Sequence, residues 1–344
     1  MSTVRDPAED LRGIAFRLER AGEPTFRVRA FRNAAAVVDG LGAAELADRA
    51  AGGRLTELAG IGEVTSRCIT ESLNGEEPVY LRRLLATADT PLDQATAALR
   101  AALRGDCHTH SDWSDGGSPI REMALTARDL GHDYLVLTDH SPRLTVAHGL
   151  TAERLERQLE VVAGLNEELS PFRILTGIEV DILEDGSLDQ RPSLLARLDL
   201  VVGSVHSKLR MPAQQMTPRM VAAISNPHLD VLGHCTGRLV VGRGRPESRF
   251  DADLVFAACA RFGVAVEINS RPERLDPPKR LLRLAVEAGC LLAVDTDAHA
   301  PGQLDWQHHG CERAARCGVD AASVVNTWPV ARLLAWTADH ASVA

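Results

Sequence analysis

The stretch Gly105 to Gly116, "GDCHTHSDWSDG", places His108, His110, Asp112 and Asp115 within eight positions. Further along, "LTDH" carries His140, "GIEVD" carries Glu179, and "GSVHS" and "LGHC" carry His206 and His234. "DTDAH" carries Asp297 and His299. Imidazole with carboxylate is the donor set of zinc, manganese or iron sites. The set of six histidines (His108, His110, His140, His206, His234, His299) and three carboxylates (Asp115, Glu179, Asp297) exceeds what one ion uses. Two to three divalent metal ions sharing a bridging carboxylate fit it, and Glu179 is the best bridge candidate. Such a cluster activates water and clamps the oxygens of a phosphoryl group during in-line displacement. A single histidine at a strand end is usually structural. Nine such residues at six strand ends are not explained by packing, because buried polar and charged groups need partners.

The elements that must position these residues are short apolar runs: "YLVLTDH", "RILTGIEVD", "LDLVVGSVH", "DVLGHC", "VAVEIN" and "LLAVDTDAH". Each follows a helix-like stretch such as "IREMALTARDLGH" or "DADLVFAACARFG". Strand and helix alternating about seven times predicts an α/β fold, a parallel barrel rather than an open sheet. Every candidate ligand lies at or just past the carboxyl end of its strand, the end where barrel enzymes build their sites. Residues at i and i+2 of a strand share a face, which pairs His108 with His110 and Asp297 with His299.

Residues 1–100 read as helical throughout, with Leu11, Ile14, Ala15 and Leu18 at helical spacing and Val28, Phe31, Ala35 and Val38 on a second helix face. "LTELAGIGEVTSRCITESL" predicts a helix, a tight turn and another helix. The barrel is expected over 104–344, with the boundary near Leu103.

With 45% hydrophobic and 25% charged residues, the chain has the composition of an ordinary globular protein. No apolar run is long enough to span a membrane, and the acidic start lacks a signal-peptide core, so no membrane partner and a cytoplasmic location, nucleoid-associated where DNA is bound, are expected. Seven scattered cysteines without a CxxC pair suit reduced thiols. The net charge of −9 argues against a nonspecific nucleic-acid coat while leaving local basic patches open.

The matches "DCHTHSDWSDG", "LTDHS", "GIEVDI", "GSVHS", "LGHCTGR", "VEINSRPERLD" and "DTDAHAPGQLD" resemble the polymerase and histidinol phosphatase (PHP) domain over about 105–340. "TDHSPRLTVAHGL", "GHCTGRLVVGR" and "EINSRPERLD" are similar to the branch carried at the C-terminus of bacterial family X DNA polymerases. "FRVRAFRNAAAVVDGL" with "LTELAGIGEVTSRCI" resembles the helix-hairpin-helix domain that begins those polymerases. Between Ala86 and Leu103 there is no room for a polymerase palm, so no polymerase activity is expected.

The resemblance implies a distorted (β/α)7 barrel, the PHP fold, preceded by a small all-α domain. It also implies a trinuclear site. His108, His110, Glu179 and Asp297 would hold one ion, Asp115, His140 and His299 a second, and Glu179, His206 and His234 the third. It implies cleavage of phosphoesters by metal-activated hydroxide attack on phosphorus, as 3′-to-5′ exonuclease, 3′-phosphatase or abasic-site processing in DNA repair.

Arg143, Lys208, Arg238 and Arg271 follow strand ends and are the candidate phosphate donors, and Arg238 and Arg271 join Glu179, Asp297 and His299 as the candidate catalytic residues. Asp106 and Asp139 adjoin ligands and are expected to orient imidazoles. His148, after the second strand, is a further candidate for touching substrate. The turn Gly60, Ile61 and Gly62, with the basic stretch Arg27, Arg29 and Arg32, is the candidate DNA grip. Related domains with abasic-site lyase activity use a lysine. The aligned position here is Cys68 and residues 1–100 contain no lysine, so that route is not expected.

DNA is the expected partner, with a separate repair polymerase or ligase alongside it. A small-molecule phosphatase, on histidinol phosphate or a nucleotide, is the alternative. A non-catalytic DNA-binding recruitment module is a third reading, disfavoured by the complete ligand set.

Overall fold

The structure, a computed structural model, describes residues 5–87 and 91–340. The chain divides into two compact units, residues 1–91 and 92–344.

The first unit contains α1 (Pro7–Arg20), α2 (Thr25–Asp39), α3 (Ala43–Ala51), α4 (Glu63–Leu73) and α5 (Val79–Leu85). Asp6 caps α1 by accepting from the Ala8 N–H at 2.8 Å, and Pro7 supplies the preset first φ. The apolar stripes expected on α1 and α2 are buried and form one core with Leu46, Leu55, Ile61 and Ile69. The element before the Gly-Ile-Gly turn differs from expectation. It is a 3-10 turn over Leu55–Glu57, because Gly52 ends α3 and Gly53, with φ +64°, redirects the chain just upstream.

The second unit opens with α6 (Gln94–Ala102), capped by Asp93, whose carboxylate accepts from the Thr96 N–H at 2.9 Å and the Thr96 hydroxyl at 2.8 Å. The expected boundary near residues 100–104 therefore moves. Leu99 and Leu103 are buried in the barrel core, so α6 belongs to the barrel.

The strands are β1 (Gly105–Thr109), β2 (Tyr134–Leu137), β3 (Arg173–Asp181), β4 (Leu200–Ser204), β5 (Val231–Leu232), β6 (Ala265–Asn269) and β7 (Leu292–Asp295). Between and after them run α7 (Ile120–Asp129), α8 (Ala152–Leu169), α9 (Pro192–Leu195), α10 (Ala213–Ile224), α11 (Ala252–Phe262), α12 (Lys279–Glu287), α13 (Gln307–Arg316) and α14 (Val330–His340). The strands pair in parallel in chain order, giving a nearly closed seven-stranded barrel.

The seam between β7 and β1 is closed by one parallel bridge, Thr109 to Ala298, and by side chains that stand in for a ladder. Asn326 Nδ2 donates to Gly105 O at 3.2 Å and to Val294 O at 2.7 Å, and Asp295 Oδ1 accepts from the Cys107 N–H at 2.9 Å. These bonds satisfy buried backbone groups that an open edge would leave bare. Gly105 is required here: a Cβ would stand 2.2 Å from the Tyr134 ring. Among the described residues, no helix is long and apolar enough to cross a membrane.

Candidate metal centre

Eight of the nine candidate ligands sit at or just past the carboxyl end of their strand, Asp115 lies in the loop after β1, and the structure brings all nine together. Glu179, buried on β3, lies at the centre. Its Oε2 is 3.4 Å from His108 Nε2, 3.7 Å from His110 Nε2 and 2.8 Å from His140 Nδ1. Its Oε1 is 3.3 Å from His206 Nε2 and 2.9 Å from His234 Nε2. Asp297 Oδ1 lies 3.4 Å from His110 Nε2 and 3.6 Å from His299 Nδ1. Asp115 Oδ1 lies 3.5 Å from His140 Nε2 and 3.4 Å from His299 Nε2.

Three overlapping groups have donor atoms close enough together to hold an ion: His108, His110 and Glu179; His110, Asp115, His140 and His299; and His140, Glu179 and His206. Several of these atoms are buried without a hydrogen-bond partner, among them His108 Nε2, His206 Nε2, both ring nitrogens of His110, and Glu179 Oε2. Buried polar atoms left unpaired are costly, and bound cations would satisfy them. The residues present therefore fit divalent metal ions.

The electrostatics point the same way. Burial by itself pushes Glu179 up, but the surrounding His108, His206 and His140 outweigh it and hold the carboxyl well below its usual range. Asp297 is likewise pushed up by burial and held well below its usual range by Arg274 and Arg271. Burial, with His299 and His140 nearby, keeps His110 well below the usual imidazole value, which favours the neutral ring that ligates metal.

Two acids that sequence reasoning missed fix the rings. Glu267 Oε1 on β6 faces His108 Nδ1 at 2.6 Å, and its other oxygen accepts from the His234 N–H. Asp181 Oδ1 faces His206 Nδ1 at 2.9 Å. Both leave the Nε2 atom turned toward Glu179. A signal for each was present: Glu267 is an acid inside an apolar strand, and Asp181 shares a strand face with Glu179.

The acids expected to orient imidazoles do something else. Asp106 accepts from the Thr296 hydroxyl and the His108 N–H, bracing the barrel seam. Asp139 accepts from the Ser111 N–H at 2.8 Å and from Gln158 Nε2 at 2.7 Å, bracing the loop after β1.

The centre opens into a cavity of about 500 Å³ bordered by Arg271, Arg274, Val146 and Val241. Arg271 Nη1 is 3.0 Å from Asp297 O and 3.0 Å from His299 Nδ1, and its guanidinium lies 5.9 Å above the Trp306 ring. Arg274, not anticipated from sequence, holds Asp297 Oδ2 at 3.0 Å through Nε.

The other three candidate phosphate donors do not line this cavity. Arg238 is committed to the loop after β6, donating to Arg274 O at 3.1 Å and to Leu275 O. Arg143 and Lys208 are exposed, and Arg143 is fixed by its backbone N–H, which donates to Asp189 at 2.6 Å. His148 is exposed, outside the lining, and its carbonyl accepts from Arg154 at 2.6 Å.

In the first unit, Gly60 takes φ +95° and Ile61 is buried. Two N–H groups of this turn are used internally: Ile61 donates to Leu58 O at 3.1 Å and Gly62 to Thr65 Oγ1 at 3.0 Å. Donors for a phosphate would thus come from the first turn of α4, where Glu63 sits. Arg32 is bidentate on buried Glu19, at 3.0 and 2.7 Å, and Arg27 is held by Glu23 and by Tyr80 at 3.0 Å. Of the three arginines, only Arg29 is exposed without such a partner among the described residues.

The PHP domain family profile matches residues 106–271, and a Helix-hairpin-helix domain profile matches residues 3–77. A "Probable phosphatase" of Thermoanaerobacter sp. (strain X514) is 30% identical over 233 residues, covering 64% of this chain and 89% of that protein. The chain belongs to the PHP family. It is a phosphoester hydrolase with a helix-hairpin-helix domain before its PHP barrel. It is also similar to "DNA polymerase/3'-5' exonuclease PolX" of Bacillus subtilis (strain 168), 41% identical over 249 residues and covering 72% of this chain. The PHP chain spans 43% of PolX's length. Among solved structures, histidinol phosphate phosphatase from Lactococcus lactis aligns with a TM-score of 0.45 and 17% identity, over 63% of this chain and 94% of that one.

Proposed function

We propose that this PHP protein is a metal-dependent phosphoesterase that acts on DNA ends in repair, as a 3′-to-5′ exonuclease, 3′-phosphatase or abasic-site enzyme. The observation that carries the reading is Glu179 in reach of five imidazoles, beneath a cavity walled by Arg271, in a chain that begins with a helix-hairpin-helix domain. The similarity to PolX supports the choice of DNA.

His108, His110, Glu179 and Asp297 would hold one ion, Asp115, His140 and His299 a second, and Glu179, His206 and His234 a third. Zinc, manganese or iron suits these donors. When bound, the ions supply Lewis acidity and activate water at neutral pH. The chain's own groups do the rest. Glu267 and Asp181 hold His108 and His206 in register. Arg274 keeps Asp297 ionised and aimed. Arg271, braced on Trp306, presents a guanidinium at the rim to a non-bridging phosphate oxygen. Asp115, a third exposed along its side chain, faces the mouth where substrate enters.

The small-molecule phosphatase reading draws on one observation, the near full-length match to the Thermoanaerobacter protein. A parallel assay separates the two. Manganese- or zinc-loaded protein is offered DNA with a recessed 3′ end, the same DNA bearing a 3′-phosphate, an abasic duplex and histidinol phosphate. Shortening of the strand, loss of the 3′-phosphate or abasic cleavage, abolished by His108→Ala with Asp297→Ala, is the expected result. Turnover of histidinol phosphate with all three DNAs inert would overturn the DNA reading.

A further inference from the structure

The loop after β5 lines two cavities. Leu239, Val241 and Gly242 border the metal cavity. Val240, Arg245 and the residues through Phe250 border a second cleft of about 640 Å³. The loop is a small antiparallel hairpin, with the Leu239 N–H donating to Arg245 O at 3.0 Å and the Arg245 N–H donating back at 2.9 Å. Its alternating residues therefore face opposite sides.

The second cleft is strongly basic in a chain whose net charge is −9. Arg238, Arg245, Arg249 and Arg280 line it, against the single carboxylate of Glu247, which pairs with Arg238 at 3.6 Å and with Arg280. Arg249 is exposed and makes no ion pair among the described residues. Arg280 has 63% of its side chain exposed despite its pairing. One wall is apolar, with Phe250 held edge-on to Phe256 at 6.3 Å between centroids, and Leu281 beside it.

The floor is preformed. Ser248 donates from its N–H to Thr236 O at 2.8 Å and from its hydroxyl to Leu209 O at 2.9 Å, and Arg245 Nε donates to Gly237 O at 2.5 Å. Between the two cavities the hairpin exposes Val240 and Val241, 50% and 57% accessible.

We infer that this cleft binds a single-stranded nucleic-acid segment whose end enters the metal cavity across the hairpin. The inference rests on the DNA-end reading above. Guanidiniums that follow a backbone beside an aromatic and aliphatic wall are what single strands need: the cations take phosphates and the wall takes bases. A small phosphate ester engaged by Arg271 and the metal centre would gain nothing from the second cleft. An acidic protein segment could use the arginines but would leave the apolar wall and the adjoining hairpin without a role.

The test uses the full chain with manganese and the Arg249→Ala, Arg280→Ala double variant, whose rim positions spare both the core and the metal centre. Anisotropy of a fluorescein-labelled oligothymidylate is followed against salt. Hydrolysis of the same oligonucleotide is compared with that of p-nitrophenyl phosphate. Oligonucleotide affinity should fall on the order of tenfold. The slope of log affinity against log salt should become shallower by about 1.4, which is about 0.7 for each single-strand phosphate that an arginine no longer neutralises. KM for the oligonucleotide should rise while kcat and p-nitrophenyl phosphate turnover stay at wild-type values.

An unchanged affinity and KM in the variant would overturn the inference and leave the DNA-end reading standing. Variant-sensitive oligonucleotide binding without any DNA hydrolysis would support the cleft and sink the DNA-end reading. A wild-type chain that does not bind the oligonucleotide, or whose bound oligonucleotide poly-glutamate displaces equally well, would overturn the cleft as a nucleic-acid site.

Discussion

At the scale of single residues, Glu179 shows how a buried carboxylate becomes tolerable. Removed from water it would be strongly penalised, and five imidazoles plus the ions they would share offset that cost. The imidazoles in turn depend on acids behind them. Glu267→Gln keeps the size of the side chain and removes its charge. It should weaken manganese binding about 10- to 100-fold, read by titration calorimetry, with a parallel loss of phosphoesterase activity. Wild-type metal affinity in that variant would show that His108 needs no support from β6.

His132 gives a separate residue-scale prediction. It is buried between α7 and β2, and burial pushes its pKa from 6.5 down to about 3. The unfolded chain takes up this proton near pH 6.5 and the folded chain does not until about pH 3. His132 therefore lowers stability progressively as pH falls through that window, and costs nothing above it. The difference in denaturant-unfolding stability between His132→Gln and wild type should shift in favour of the variant from pH 7 toward pH 4. A pH-independent difference would refute this account. Glu267 is marked in the sequence as an acid inside an apolar strand, but its partner His108 is not visible there; His132, in the turn "LGHD", carries no signal of its burial.

At the scale of elements, the loops after the strands border the candidate site and α6 carries a structural surprise. Its sequence is as helical as the five helices before it, so periodicity alone groups it with them. Leu99 and Leu103 instead complete the barrel core. A chain beginning at Leu92 should fold cooperatively with near-native stability. One beginning at Gly105 should lose at least about 2–5 kcal/mol, the cost of emptying one buried leucine site. Equal melting of the two fragments would return α6 to the first unit. The loop after β6 is the other decisive element. It sets Arg271 and Arg274 on Asp297, while Arg238 from the β5 loop braces it from behind.

At the scale of the whole molecule, charge is distributed unevenly. In the first unit Arg12, Arg27, Arg32, Arg49 and Arg54 are paired with acids, while Arg29, Arg67, Arg82 and Arg83 are exposed with no ion pair among the described residues and are the cations left for a DNA backbone. In the second unit the carboxylates converge on one centre. Ions that bind only the folded barrel stabilise it by mass action, about 2.7 kcal/mol at a free concentration a hundred times Kd. Manganese or zinc should therefore raise the Tm of the 92–344 unit in a concentration-dependent way, and a chelator should reverse the rise. A Tm indifferent to both would argue that the nine side chains hold no ion.

The sequence by itself determined where the candidate ligands would gather. In a parallel barrel, a polar residue at the carboxyl end of an apolar strand has one place to go, so His108, His140, Glu179, His206, His234 and Asp297 could be placed from position alone. It also determined the helical first unit, through the spacing of Leu11, Ile14 and Leu18. Only the tertiary structure decided what stands behind and around those ligands. His108 meets Glu267 across 159 positions, and Thr296 meets Asp106 across 190, distances over which no local pattern carries information. The same holds for the arginines. A long, flexible guanidinium goes wherever carbonyls and carboxylates from distant loops converge, which turned Arg271 and Arg274 into the metal cavity and left Arg238 bracing the loop beside it.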